Sequence, residues 1–145
     1  MKVKDGETVK FHVLPGEPFS FGQFTAEGAT KPTRVALGSK VVGQDIKEQH
    51  AFLVYDYAAG AIKLWTVGFK LAKTVKDAVD AWEGADKFDI ALTRNGSGLL
   101  TKWSTTTVPT KFKAEMLEGK EVPNVSELVK LSDADKLVDA NAVPF

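Results

Sequence analysis

His12 and His50 are the only two side chains in this 145-residue chain that titrate near neutral pH without help. Neither has a partner at ligand spacing. His12 stands between Phe11 and Val13 in an alternating segment, which gives it a structural or surface role rather than a catalytic one. Asp133 and Asp135 lack the glycine and the terminal glutamate of a calcium loop. Asn95-Gly96-Ser97-Gly98 has no Gly-Lys-Ser/Thr to cradle a phosphate and suits the tight turn of a hairpin. No strand-to-helix elbow presents a serine nucleophile. The chain has no cysteine, which excludes disulfides and Cys-based zinc sites and suits a reducing cytoplasm. These residues point away from an enzyme and from any metal or other cofactor.

Aromatic rings interleaved with cations suggest a different chemistry. In the segment 50–57 (HAFLVYDY), Phe52 and Val54 share one side, while Leu53, Tyr55 and Tyr57 share the other. In the segment 61–67 (AIKLWTV), Ile62 and Leu64 oppose Lys63, Trp65 and Val67. A hairpin closing around Ala59 would gather Tyr55, Tyr57, Lys63 and Trp65 on one surface. Rings beside a cation form a platform for stacked bases and phosphate, and stacking on an aromatic is worth about 1–3 kcal/mol per base. The same face could instead pack beneath the Phe19–Phe24 segment as core, because a slip of one residue exchanges the faces. Further along, Arg94 and Lys102 flank the glycine turn, where they could grip a nucleic-acid backbone. Trp103 could stack a base, and Lys111 and Lys113 could extend the basic track.

The elements that must position these residues follow from periodicity. Thr8–Leu14 reads as a strand ending at Pro15-Gly16, and Arg34–Leu37 as a short strand before a polar loop from Gly38 to Gln49. Leu71, Val75, Ala78, Val79 and Trp82 recur on one helical face, with Gly84 as the stop. Trp82 is therefore placed in the core. The segments 87–93 and 99–108 form a second long hairpin, with Phe88, Ile90 and Leu92 inward and Lys87, Asp89, Ala91 and Thr93 outward. Asn124 with Glu127 predicts a capping box that starts a short helix to about Leu131. Strands, one helix, then a hairpin, without βαβ alternation, predict a mainly β protein. The expected form is an OB-fold-like, five-stranded Greek-key barrel with one helix between strands. The expected division is a domain over residues 1–122, a short helix over 123–131 and a flexible acidic tail over 132–145.

Composition fits one ordinary domain, with 43% hydrophobic and 26% charged residues. No stretch is apolar enough for a membrane span, and the charged segment 1–10 does not read as a signal peptide, so a cytoplasmic protein is expected. The 19 basic and 19 acidic residues balance. The segment 132–145 holds three acids and one base, which leaves a body of 18 basic against 16 acidic residues. Acidic tails are usually interaction tails. This one carries Asp133, Asp135 and Asp139 and stops at Pro144-Phe145, an aromatic ring beside a carboxylate. It could equally be a frayed end with a short helix capped by Ser132.

A family resemblance joins these features. Val9–Pro15, the Lys63–Val67 strand and the run from Phe88 to Trp103 resemble the phage replication single-stranded DNA-binding proteins, whose cores are OB-folds. The matching positions are Phe88-Asp89-Ile90, Arg94, Gly96, Gly98, Thr101 and Trp103, and the terminal Pro144-Phe145 resembles the family's partner-docking tip. The resemblance implies a protein that coats single-stranded DNA with little sequence preference during replication or recombination. Bases would lie on Tyr55, Tyr57, Trp65 and Trp103, with Lys63, Arg94, Lys102 and Lys111 along the phosphates. The tail would recruit a polymerase, helicase or nuclease. The cysteine-rich zinc subdomain of some relatives has no counterpart here. A homo-oligomer stays open, as do a protein-interaction or virion-associated β-barrel and an RNA-binding barrel of the cold-shock type.

Overall fold

Alternation of apolar and polar side chains drives seven segments of this chain into strands, and a single change of period produces the long helix between them. The computed structural model describes residues 3–132. The strands are β1 (Thr8–Val13), β2 (Phe19–Phe24), β3 (Thr33–Ala36), β4 (Lys47–Asp56), β5 (Ala61–Val67), β6 (Phe88–Asn95) and β7 (Lys102–Pro109). Helix α1 (Phe69–Trp82) joins β5 to β6, and a short helix α2 (Val125–Val129) follows the strands. No described helix is long and apolar enough to cross a membrane. The expected tail residues Asp133, Asp135, Asp139, Pro144 and Phe145 lie outside the described residues.

All pairings are antiparallel within one seven-stranded sheet of order β3-β2-β4-β1-β6-β7, with β5 on β4. The ten-residue β4 organises it. Its first half pairs with β2 (Phe19↔Ala51 to Gln23↔Lys47) and its last residues with β1 (Val13↔Val54 to Phe11↔Asp56). Its other edge takes β5. Two features set the sheet apart from the expected five-stranded Greek-key barrel. The Phe19–Phe24 segment pairs with β3 as a hairpin of its own, raising the strand count to seven. The sheet also stays open, since among the described residues β5 and β7 each pair on one side only. The expected loop from Gly38 to Gln49 is shorter too, because β4 begins at Lys47.

The main core lies on the face shared by Phe11, Val13, Phe52, Val54, Trp65, Phe88, Ile90 and Leu92, against which α1 packs through Val75. Leu71, Ala78, Val79 and Trp82 complete the helical stripe, so the face read from the sequence is the one buried. Trp82 also donates its indole N–H to Thr107 Oγ1 at 3.1 Å, tying the helix to β7. Glu83 ends the helix in a left-handed conformation (φ 59°), and the Gly84 N–H closes on the Val79 carbonyl at 3.0 Å. A second cluster lies around Phe21 and Ala51, where α2 inserts Val129, 1% exposed. Asn124 does start α2, but its carboxamide oxygen accepts the Ser126 N–H (3.0 Å) and the Ser126 hydroxyl (2.7 Å) in place of a reciprocal bond with Glu127.

Candidate nucleic-acid interface

The expected platform on the first hairpin depends on register, and the register differs. The Gly60 N–H reaches the Asp56 carbonyl at 2.8 Å, and the Ala58 N–H reaches Asp56 Oδ1 at 3.1 Å. The turn therefore spans Tyr57–Gly60, with Gly60 at φ 62°. Asp56 pairs with Ala61, Val54 with Lys63 and Phe52 with Trp65. Closure around Ala59 would have paired Tyr55 with Lys63, but Tyr55 pairs with Ile62. That one-residue shift moves the tyrosines to the opposite face from Lys63 and Trp65. Trp65 is 5% exposed and packs against Phe11 (4.8 Å between ring centres) and Phe52 (5.7 Å). Lys63 is bound to the Asp56 carboxylate at 3.2 Å. The four residues do not form one surface.

Tyr55 and Tyr57 belong instead to a polar cluster on the second face. Tyr55 is 8% exposed, with its ring 5.6 Å from Tyr57 and 5.5 Å from Phe112. Asp89 was expected to point outward but is buried. It accepts the Tyr57 hydroxyl (2.7 Å), the Thr110 hydroxyl (2.6 Å) and the Lys111 N–H (3.2 Å). His12 Nδ1 lies 2.9 Å from Asp89 Oδ1 and 3.1 Å from the Phe88 carbonyl, two acceptors that place the proton on Nδ1. Phe112 stacks flat on the His12 ring at 4.4 Å. Burial, then the hydrogen bond to Asp89, pushes the Tyr57 hydroxyl well above the usual tyrosine range.

This cluster resembles a catalytic triad in composition but not in geometry. Thr110 Oγ1 approaches His12 through the same Nδ1 that faces Asp89, at 3.2 Å, so the ring does not bridge base and nucleophile. Its evident work is to fasten the chain beyond β7 onto the sheet. Lys111 follows that path, with its ammonium 5.2 Å from the Tyr57 ring. Sequence reading missed the assembly, although a charged Asp89 between Phe88 and Ile90 was a signal. His50, the other histidine, has Nδ1 2.8 Å from Ser20 Oγ and Nε2 3.7 Å from a Glu48 carboxylate oxygen.

Solvent-facing rings gather elsewhere, where the open side of the sheet meets the start of α1. A groove of about 830 Å³ opens there, with Val3, Trp65 and Leu92 among its lining residues. Phe69 and Trp103 also line it and are 64% and 42% exposed. Lys47 and Lys70 add two cations against the one acid, Glu48. Gly68 caps α1 without a side-chain acceptor, and the first turn holds no acidic residue. That helix end is electropositive, adding to the lysines.

The second hairpin supplies Trp103. It pairs with Arg94, whose guanidinium lies 5.9 Å from the indole centre and donates to the Val3 carbonyl at 2.8 Å. Lys102 pairs with Asn95, so alternation sends it to the opposite face from Arg94. The two cations expected to grip one backbone thus flank the turn from opposite faces. The structure brings Trp103 and Arg94 together, and it separates them from Tyr55, Tyr57, Lys63 and Lys111. Phe69, Lys47 and Lys70 were not foreseen. Phe69 sits outside the apolar stripe of α1, and an aromatic off the buried face is a signal that sequence alone carries.

No protein-family model, curated protein or solved structure gives a significant match to this chain.

Proposed function

We propose that this protein binds single-stranded DNA with little sequence preference, holding it in the groove between α1 and β7. The observation that carries the reading is the pairing of exposed Trp103 and Phe69 with Lys47 and Lys70 around one open groove. Two rings offer stacking surface to any base, and the ammonium groups meet the backbone. The open end of α1 adds N–H groups suited to an anion. Strand connectivity supports the resemblance to the OB-fold. With the β2–β3 hairpin set aside, β1, β4, β5, β6 and β7 follow one another with α1 between the third and fourth, as in that fold.

On this reading the protein is not an enzyme and works in replication or recombination, in the cytoplasm of a host cell. Its segment 132–145 recruits a polymerase, helicase or nuclease through Asp133, Asp135, Asp139, Pro144 and Phe145. A second reading, a protein-interaction module, is favoured by the exposed Leu37 (52%) and Val42 (69%) between β3 and β4.

Tryptophan emission separates the two. A homopolymeric oligonucleotide quenches the fluorescence of the native protein more than duplex does, and Trp103→Ala removes that quenching. Emission unchanged by any oligonucleotide leaves the interaction module standing.

A further inference from the structure

The β6–β7 turn bears two side chains that the groove does not use. Leu99 is 105% exposed and Leu100 is 81% exposed. Side by side on one turn, the two leucines make a small apolar tip in solvent. The turn is built to hold them out. Gly96, at φ 90°, donates its N–H to the Asp5 carboxylate at 2.7 Å, and the Gly6 N–H reaches the Arg94 carbonyl at 2.7 Å. A side chain on Gly96 would run into the Leu100 backbone. The Leu100 N–H returns to the Ser97 carbonyl at 3.1 Å, and the Thr101 N–H to that of Gly98 at 3.3 Å. Trp103, which lines the groove, follows three residues after Leu100, so the turn runs directly on from the groove's wall.

We infer that Leu99 and Leu100 form an apolar wedge that unstacks the terminal base pair where a DNA duplex meets the single strand held in the groove. This rests on the single-stranded DNA reading and extends it to a second substrate, the junction. Charge and area choose this occupant over a protein. From Arg94 to Trp103 the turn carries two cations, Arg94 and Lys102, against one acid held at it, the Asp5 carboxylate on the Gly96 N–H, so the positive charge is in excess. Two leucines and part of an indole fall far short of the roughly 800 Å² per partner that a stable protein interface buries. A tip of that size needs only the face of a base pair to cover it. Apolar wedges inserted between base steps are an established way for proteins to open stacking.

The test uses the full chain and a forked duplex carrying 2-aminopurine in its terminal pair, a base that brightens when unstacked. Native protein raises the emission. Leu99→Ser/Leu100→Ser, changed only at exposed positions, leaves it several-fold lower at saturating protein, with affinity for an oligo-dT strand and thermal melting unchanged. Equal brightening by the variant, or none by the native protein, overturns the wedge and leaves the groove reading intact. Loss of oligo-dT affinity in the variant makes the leucines part of the groove, which overturns a separate wedge. No oligo-dT binding by native protein overturns both readings. A variant that turns a dimer into a monomer makes the tip an interface between copies and overturns the wedge.

Discussion

Trp103 and Trp65 line one groove, yet a single substitution at each should break different things. Trp103 is 42% exposed, with the Arg94 guanidinium 5.9 Å from its ring centre, so Trp103→Ala removes a stacking surface without opening the core. Oligonucleotide affinity should fall by about 1–3 kcal/mol in a fluorescence or anisotropy titration, with the melting temperature nearly unchanged. Trp65 is locked against Phe11 and Phe52, so Trp65→Ala should cost about 3–5 kcal/mol of stability in denaturant unfolding. Tyr57 gives a residue-scale test of the second face. Its folded-state proton affinity is raised by burial and by the bond to Asp89, so the unfolded chain releases that proton first as pH rises. The contribution is complete below the ordinary tyrosine value of about 10 and is lost progressively above it. Unfolding measured from pH 8 to 11 should show a steeper loss for native protein than for Tyr57→Phe.

At the scale of elements, the β6–β7 turn sets where Trp103 stands beside the groove proposed to hold DNA. Gly96 combines a positive φ of 90° with backbone packed against it, a conformation that side-chain-bearing residues adopt only under strain. Gly96→Ala should therefore destabilise the protein by more than about 1 kcal/mol, and it should weaken oligonucleotide binding as well because Trp103 moves with the turn. Gly98→Ala makes a useful comparison. It shares the positive φ (58°) but meets no neighbouring atom, so it should lose less. Helix α1 works at both of its ends, fastened by Trp82 to β7 at one and opening Phe69 and Lys70 onto the groove at the other.

Across the whole molecule, a chain of zero net charge sets two lysines, Lys47 and Lys70, against one acid, Glu48, around the groove proposed to hold the phosphates. Each phosphate neutralised on a single strand contributes about −0.7 to the slope of log affinity against log salt. Lys47→Ala/Lys70→Ala should flatten that slope by roughly 1.4 and weaken binding uniformly across sequences. A slope unchanged by the double substitution would show that the phosphates run elsewhere, for instance along Lys111 and Lys113 beyond β7.

Much of this architecture was legible in the chain itself. The stripe of Leu71, Val75, Ala78, Val79 and Trp82 can bury only one way on a 3.6-residue helix, and Phe88, Ile90 and Leu92 can share only one face of a strand. Those are local periodicities, set by backbone geometry before any tertiary contact forms. Which strand faces which is another matter. The turn at Tyr57–Gly60 shifted β5 by one residue against β4, which sent Trp65 inward and Tyr55 to the other side. Likewise Asp89 is buried only because His12, Tyr57 and Thr110, distant along the chain, arrive to satisfy it. Pairing register and long-range polar partners are cooperative properties of the folded chain, and no window of sequence contains them.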